Sequence, residues 1–242
     1  MDTAGLKALL LGIIGQNSAP DSMAWLIVQG DINNTAAFNA AFAMMPRKTG
    51  KAPVFISDEQ KAQLNKLRPG FSINNWTTDR LGRVWLLMQA GTTGNDNYFR
   101  VIENLFSAAE MNELVALYSA LPVLSHPGLW VKRCAEGIRS NIGPVLEAIM
   151  YYNPYPAENL EQAAWNQMVM KAIFTEKELH LITGLKERAN PELTRILIDY
   201  AKERWAAGRG VDPTLWELAG EFVDEAQINN MKQGHWENSS VV

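Results

Sequence analysis

The chain has 242 residues, of which 47% are hydrophobic, with a single cysteine and a formal net charge of -4. That apolar content sustains a sizeable core and excludes wholesale disorder, while 26 acidic against 22 basic side chains argue against a nucleic-acid binder. With Cys134 alone, neither an intrachain disulfide nor a Cys-cluster metal site can form, which suits a reducing compartment.

From the N-terminus, the first apolar run is Leu9-Leu10-Leu11-Gly12-Ile13-Ile14. It is far shorter than the roughly 18 residues a membrane span needs. Asp2 and the lone Lys7 make a poor leader for a signal peptide, so a docking helix is expected. Helix punctuation then recurs at short intervals. Ser57 to Gln60, Ser107 to Glu110 and Thr175 to Glu178 have capping-box spacing. Asn190-Pro191 and Asp212-Pro213 place a capping side chain before a proline at the first helical position. Gly91, Gly184 and Gly208 follow apolar-periodic segments and read as helix ends.

These signals predict helices near 3–16, 20–29, 33–45, 58–67, 77–90, 96–106, 108–121, 127–139, 142–152, 159–174, 191–208 and 213–222. Val54-Phe55-Ile56 is one short strand candidate. The fold class is therefore all-α: an irregular multi-helix bundle or a short helix-pair (HEAT/ARM-like) solenoid of about 10–12 helices. No clear repeat is visible. A single helical domain is expected over 1–242, with residues 1–45 as an N-terminal subregion and 54–236 as the main body. The basic loop Pro46–Pro53 is the best break, and it lacks the spacing of a phosphate-binding P-loop. The tail from Glu237 to Val242 is expected to fray.

Polar residues on apolar helix faces are the candidate site residues, since a helix advances 100° per residue and each position can be placed. Arg204 shares a face with Leu193, Ile196, Leu197 and Tyr200 and is expected to be largely buried. It would then join helices in an ion pair, grip an anion or carbonyl, or snorkel to solvent. The segment Ala163–Phe174 is apolar nearly all round and reads as a central buried helix. Its Asn166 and Gln167 either satisfy loop backbone or line a cavity, and Lys171, four residues after Gln167, is a further ligand-binding candidate. Arg80 and Arg83 sit among apolar residues; Asp79 can pair with Arg83 at i,i+4, and Glu147 is a partner for either arginine. Tyr155, held extended between two prolines, either stacks on a ligand or caps the core. Lys132, Arg133, Glu136 and Arg139 read as a solvated face. Eight tryptophans and ten methionines fill a core or shape an adaptable apolar pocket. HExxH, GxSxG, CxxC and GxGxxG are absent, His126, His180 and His235 are not at ligand spacing, and no metal or cofactor is expected. Cys134 reads as inert core.

The segments PRKTGKAP (Pro46–Pro53), RPGF (Arg68–Phe71), the Trp76–Arg83 run, AEGIRSN (Ala135–Asn141), NPYPAEN, AAWNQMVMKAIF, ERANPEL (Glu187–Leu193) and YAKERWAAGR (Tyr200–Arg209) together resemble the EboA family of bacterial proteins. The likeness is densest from Ala135 to Arg209, and the first 40 residues carry little of it. The resemblance implies a part in metabolite traffic. Members look like products of a cluster that also encodes a UbiA-like membrane prenyltransferase and moves a scytonemin-type precursor toward the periplasm in cyanobacteria. It carries no catalytic residue assignment.

The leading expectation is a non-enzymatic component of secondary metabolism, cytoplasmic and peripheral to the inner membrane through partners. It would bind a small hydrophobic or aromatic metabolite or other cluster proteins, with Arg83, Asn166, Gln167 and Arg204 gripping polar groups. The first alternative is an enzyme using Glu147 or Glu203 as general acid/base. The second is a pure helical scaffold.

Overall fold

In a computed structural model the described residues are 2–29, 34–90, 95–219 and 222–232. Their regular elements are all helices, with no strand; Val54–Ile56 has no regular structure, and the only ladder-like pairing among the described residues is the isolated bridge between Pro53 and Thr77. The chain divides at Leu160–Glu161 into two compact units. The break anticipated at Pro46–Pro53 falls inside the first.

The first unit contains α1 (Thr3–Asn17), α2 (Pro20–Gln29), α3 (Thr35–Thr49), α4 (Asp58–Leu67), α5 (Thr78–Ala90), α6 (Asn95–Ala108), α7 (Met111–Ala120), α8 (Val131–Arg139), α9 (Gly143–Met150) and α10 (Tyr155–Asn159). Alternate helices pack in a row, α3 on α5, α5 on α7, α7 on α9. α1 covers α5 with Leu6, Leu10, Ile13 and Ile14, all removed from solvent, so the apolar N-terminal run docks into this core. Gly137 of α8 is a point of close approach, where an added Cβ would lie 2.5 Å from Ile149 Cδ1 and 2.6 Å from the Tyr118 ring.

The second unit holds α11 (Gln162–Phe174), α12 (Pro191–Ala206), α13 (Thr214–Ala219) and α14 (Glu225–Lys232). Ile198, Ala219 and Val223 form a small core there, with Trp205 stacked on Trp216 at 5.5 Å.

Local signals set many helix ends. Ser57 and Gln60 form the expected capping box, with Ser57 N donating to Gln60 Oε1 at 3.0 Å and Gln60 N to Ser57 Oγ at 3.2 Å. Asn190 Oδ1 accepts from Leu193 N at 2.9 Å, and Asp212 Oδ1 from Thr214 N at 2.9 Å. Past α12, Gly208 takes φ +69, and Arg209 N reaches back to Arg204 O at 2.8 Å, closing a Schellman turn. Gly91, His235 and the expected frayed tail lie outside the described residues.

Three start signals or boundaries resolve differently. The Ser107 hydroxyl donates within α6 to Glu103 O, and the Glu113 carboxylate instead receives Glu110 N at 3.0 Å to start α7. Thr175 ends α11 rather than starting a helix, because its hydroxyl donates backwards to Lys171 O at 2.7 Å. The expected loop begins only at Gly50: Pro46, Arg47, Lys48 and Thr49 are the last turn of α3. Thr49 Oγ1 donates to Met45 O, and Arg47 and Lys48 sit where cations complement the helix C-terminus.

The centre of the first unit is a buried charge. Arg83 is 3% exposed, and each of its three nitrogens faces a partner. Nη1 donates to Asp79 Oδ2 at 2.8 Å and Nε to Phe42 O at 3.0 Å; Nη2 lies 3.7 Å from Glu113 Oε1; and the guanidinium carbon sits 5.3 Å from the Phe42 ring. Desolvation lowers its pKa, with Asp79 and Glu113 opposing that shift. Replacing Arg83 by Met leaves Asp79 buried without its cation, so stability should fall by about 3–5 kcal/mol. The double variant Arg83→Met/Asp79→Leu should recover much of that loss. Urea unfolding of the three proteins checks both statements.

Candidate functional site

The sequence candidates separate by unit. In the first, Arg80 is half-buried at the start of α5. Its guanidinium carbon lies 4.3 Å over the Trp76 ring, and Nε donates to Ser119 Oγ at 2.9 Å. Desolvation lowers its pKa to about 10, against the opposing charges of Asp79 and Glu147. Glu147, half-buried on α9, thus acts on Arg80. Tyr155 is completely buried; its hydroxyl donates to Pro127 O at 2.5 Å, and burial raises its pKa. It is the first residue of α10, not extended as expected, because Asn153 Oδ1 accepts from Tyr155 N at 3.0 Å and starts a helical turn. Tyr155 therefore caps core. Arg133 and Glu136 are half-buried rather than a fully solvated face, since Arg133 Nε reaches across to Glu103 Oε1 on α6 at 2.8 Å and Nη1 to Glu136 at 3.0 Å. Burial pushes the Cys134 thiol up to about 12, so it is not a thiolate nucleophile at neutral pH.

In the second unit, α11 and α12 bring the remaining candidates together. Trp165, Met168, Val169 and Ala172 face inward, while Gln167 and Phe174 are exposed and Met170 and Lys171 half-buried. The expectation of an all-round buried helix is thereby corrected. A sequence with few polar residues does not reveal that one apolar stripe is left open. That stripe is a groove of about 410 Å3, lined by Asn166, Gln167, Met170, Lys171, Phe174 and Ile196 among others. Asn166 is also structural. Its amide exchanges hydrogen bonds with Asn190, the N-cap of α12, at 3.0 and 3.3 Å.

Beyond Phe174 lies a second, larger cleft of about 730 Å3. Phe174 lines both spaces, and its ring packs edge-on against Tyr200 at 5.4 Å. The cleft holds Glu203 and Arg204 together with His180, Glu178 and Asp212. Arg204 is half-buried, not largely buried as its helical position implies. It occupies the last turn of α12, and the turn at Gly208 folds the chain back so that Gly210 O accepts from Nε at 2.9 Å. The guanidinium thus sits at the rim, held through Nε, with the Tyr200 ring 5.9 Å away. Glu203 is exposed.

Sequence reasoning missed His180, Glu178 and Asp212, because their proximity arises only when the α11–α12 connection folds over the end of α12. It also missed Glu176, which lines the cleft with φ +53. Glu176 closes α11 in a Schellman turn: Lys177 N donates to Ala172 O at 2.8 Å and Glu176 N to Ile173 O at 3.2 Å. That position normally takes glycine, and no helical signal marks it. Among the described residues no cluster of His, Cys, Asp or Glu could hold a metal ion, and no helix is long and apolar enough to cross a membrane.

The class defined so far is an all-helical protein whose second unit carries an apolar groove beside a charged cleft. The family model for the metabolite traffic protein EboA matches residues 6–220, and the chain belongs to that family. The match extends into α1, further toward the N-terminus than the motif resemblance reached. No curated protein and no solved structure matches the chain.

A left-handed conformation disfavours a residue with a Cβ by roughly 1–2 kcal/mol. Glu176→Gly should therefore raise stability by about 1 kcal/mol, whereas Glu176→Ala should not. Thermal melts of both variants test whether this cleft-lining turn is strained.

Proposed function

We propose that the protein is a non-enzymatic component of metabolite traffic that holds a small hydrophobic or aromatic metabolite in the α11–α12 groove. The observation that carries this reading is the groove itself. Met170, Phe174 and Ile196 supply an adaptable apolar wall, and Gln167 and Lys171 supply polar groups at its edge. Its volume of about 410 Å3 is within the range that small-molecule sites use. Exposure of 64% for Phe174 is unfavourable in water and would be relieved by a bound apolar group. The family's role in metabolite traffic supplies the context. In this reading the protein works in the cytoplasm, docked at the inner membrane through partners such as a UbiA-like prenyltransferase.

A second reading has its own support. The neighbouring cleft is lined by His180, Glu178, Glu203 and Arg204, with His180 Nδ1 3.5 Å from Glu178 Oε2, residue types able to move a proton and to stabilise an anion. In that case the molecule held by the groove would be chemically altered at the cleft.

Mass spectrometry of molecules retained by the purified protein tests both. Wild type should retain an apolar small molecule. Ile196→Trp, which fills the groove at a half-buried position, should lower its occupancy by about tenfold. Equal retention by a folded Ile196→Trp variant would remove the groove from consideration. Conversion of the retained molecule by wild type but not by Glu203→Gln would establish the enzymatic reading instead.

A further inference from the structure

We propose that the first unit contains a separate site for a small oxyanion, a carboxylate or phosphate group, in the cavity at the start of α5. The cavity has a volume of about 230 Å3, and its polar lining comes from Lys51, Asn75, Thr77, Asp79, Arg80 and Asn112. This is enough for a phosphate or a short carboxylic acid and too little for a large aromatic body. It does not depend on the groove in the second unit.

Arg80 is the central group. One face of its guanidinium rests on Trp76 and its Nε is fixed by Ser119 Oγ, so the side chain is pre-organised. Among the described residues none accepts a hydrogen bond from Nη1 or Nη2. Those two nitrogens form the planar fork that matches two oxygens of a carboxylate or phosphate. The carboxylate nearest in sequence, Asp79, does not answer that fork. Its Oδ2 accepts from Arg83 Nη1 at 2.8 Å and its Oδ1 from the Thr77 hydroxyl at 2.6 Å. The arginine that organises the core thus takes the acid that Arg80 would otherwise use. Desolvation still outweighs the attraction of Asp79 and Glu147 at Arg80, and an incoming anion would offset it.

The remaining lining suits the same ligand. Lys51 is an exposed cation at the mouth. Asn75 stands in the left-handed region at φ +60, which asparagine adopts readily. Neither its side-chain amide nor that of Asn112 hydrogen-bonds another described residue. Two cations and two amides without a partner among the described residues therefore line one small space beside Val115 and Pro144; of the carboxylates that act on Arg80, Asp79 is already paired with Arg83 and Thr77, and Glu147 accepts no hydrogen bond from Arg80. Sequence inspection singled out Arg80 but had no means of finding Lys51, Asn75 and Asn112, which lie on three separate connections or helix starts.

The test is a titration of the whole chain with sodium phosphate and with sodium acetate, against sodium chloride at equal ionic strength. It is followed through the NMR signals of the Asn75 and Asn112 side-chain amides and the Trp76 indole. Saturable shifts with either oxyanion but not with chloride are expected. Tighter binding of phosphate or of acetate identifies which oxyanion the site prefers. Arg80→Lys keeps the charge but loses the fork and should weaken binding by about tenfold. Lys51→Ala removes an exposed side chain and should weaken it several-fold with the fold intact. Should Arg80→Lys fold poorly, Lys51→Ala alone decides. Absence of any response beyond that of chloride, or a titration unchanged in Lys51→Ala, overturns the proposal.

Discussion

The first unit depends on how one buried cation is satisfied. Arg83 sits on α5 and takes its partners from α3, from α5 itself and from α7. An unpaired guanidinium in that position would cost several kcal/mol, roughly, so the three helices can meet only where these groups converge. The row of alternate helices from α3 to α9 is thus fixed by polar geometry at its centre and filled by apolar packing around it. The same interaction has an electrostatic consequence one residue away. Because Asp79 is already committed to Arg83 and Thr77, Arg80 stands partly desolvated with an unused pair of donors.

The second unit uses a neutral polar contact for a similar purpose. Asn166 and Asn190 exchange hydrogen bonds, joining α11 to the first turn of α12. Asn190 simultaneously caps that helix, so the contact fixes where α12 begins relative to α11. With the two helices pinned at this point, the open stripe beyond it becomes the groove walled by Met170 and Ile196. The same amide that pins the two helices thus also stands at the end of the groove.

Membership in the EboA family, whose description is metabolite traffic, sets a context in which the geometry can be read. Ring contact between Phe174 and Tyr200 separates an apolar groove from a cleft rich in charge. A molecule with an apolar body and a polar end would find complementary surroundings on the two sides of that ring pair. The first unit, by contrast, holds a smaller cavity at Arg80, where Val115 and Pro144 complete a wall that also carries Lys51, Asn75 and Asn112.

What the sequence determined by itself was local. The all-α class, the capping box at Ser57, the Asn190 and Asp212 caps and the turn at Gly208 follow from interactions within a few residues, which a chain carries wherever it folds. The Asp79–Arg83 pair was legible for the same reason, one helical turn apart. Local signals misled where a residue had two local options: Thr175 and Ser107 have the spacing of helix starts, but their hydroxyls bond backwards into the preceding turn. Only the tertiary structure decided exposure. Arg204 lies on the apolar face of α12 yet reaches Gly210 at the rim, because burial depends on whether another element covers the last turn. Gln167 and Phe174 are open to solvent because no described element closes over that stripe of α11, a fact of packing that periodicity does not encode. The groove, the cleft and the Arg80 cavity join residues from distant parts of the chain, and such spaces exist only once helices have found their neighbours.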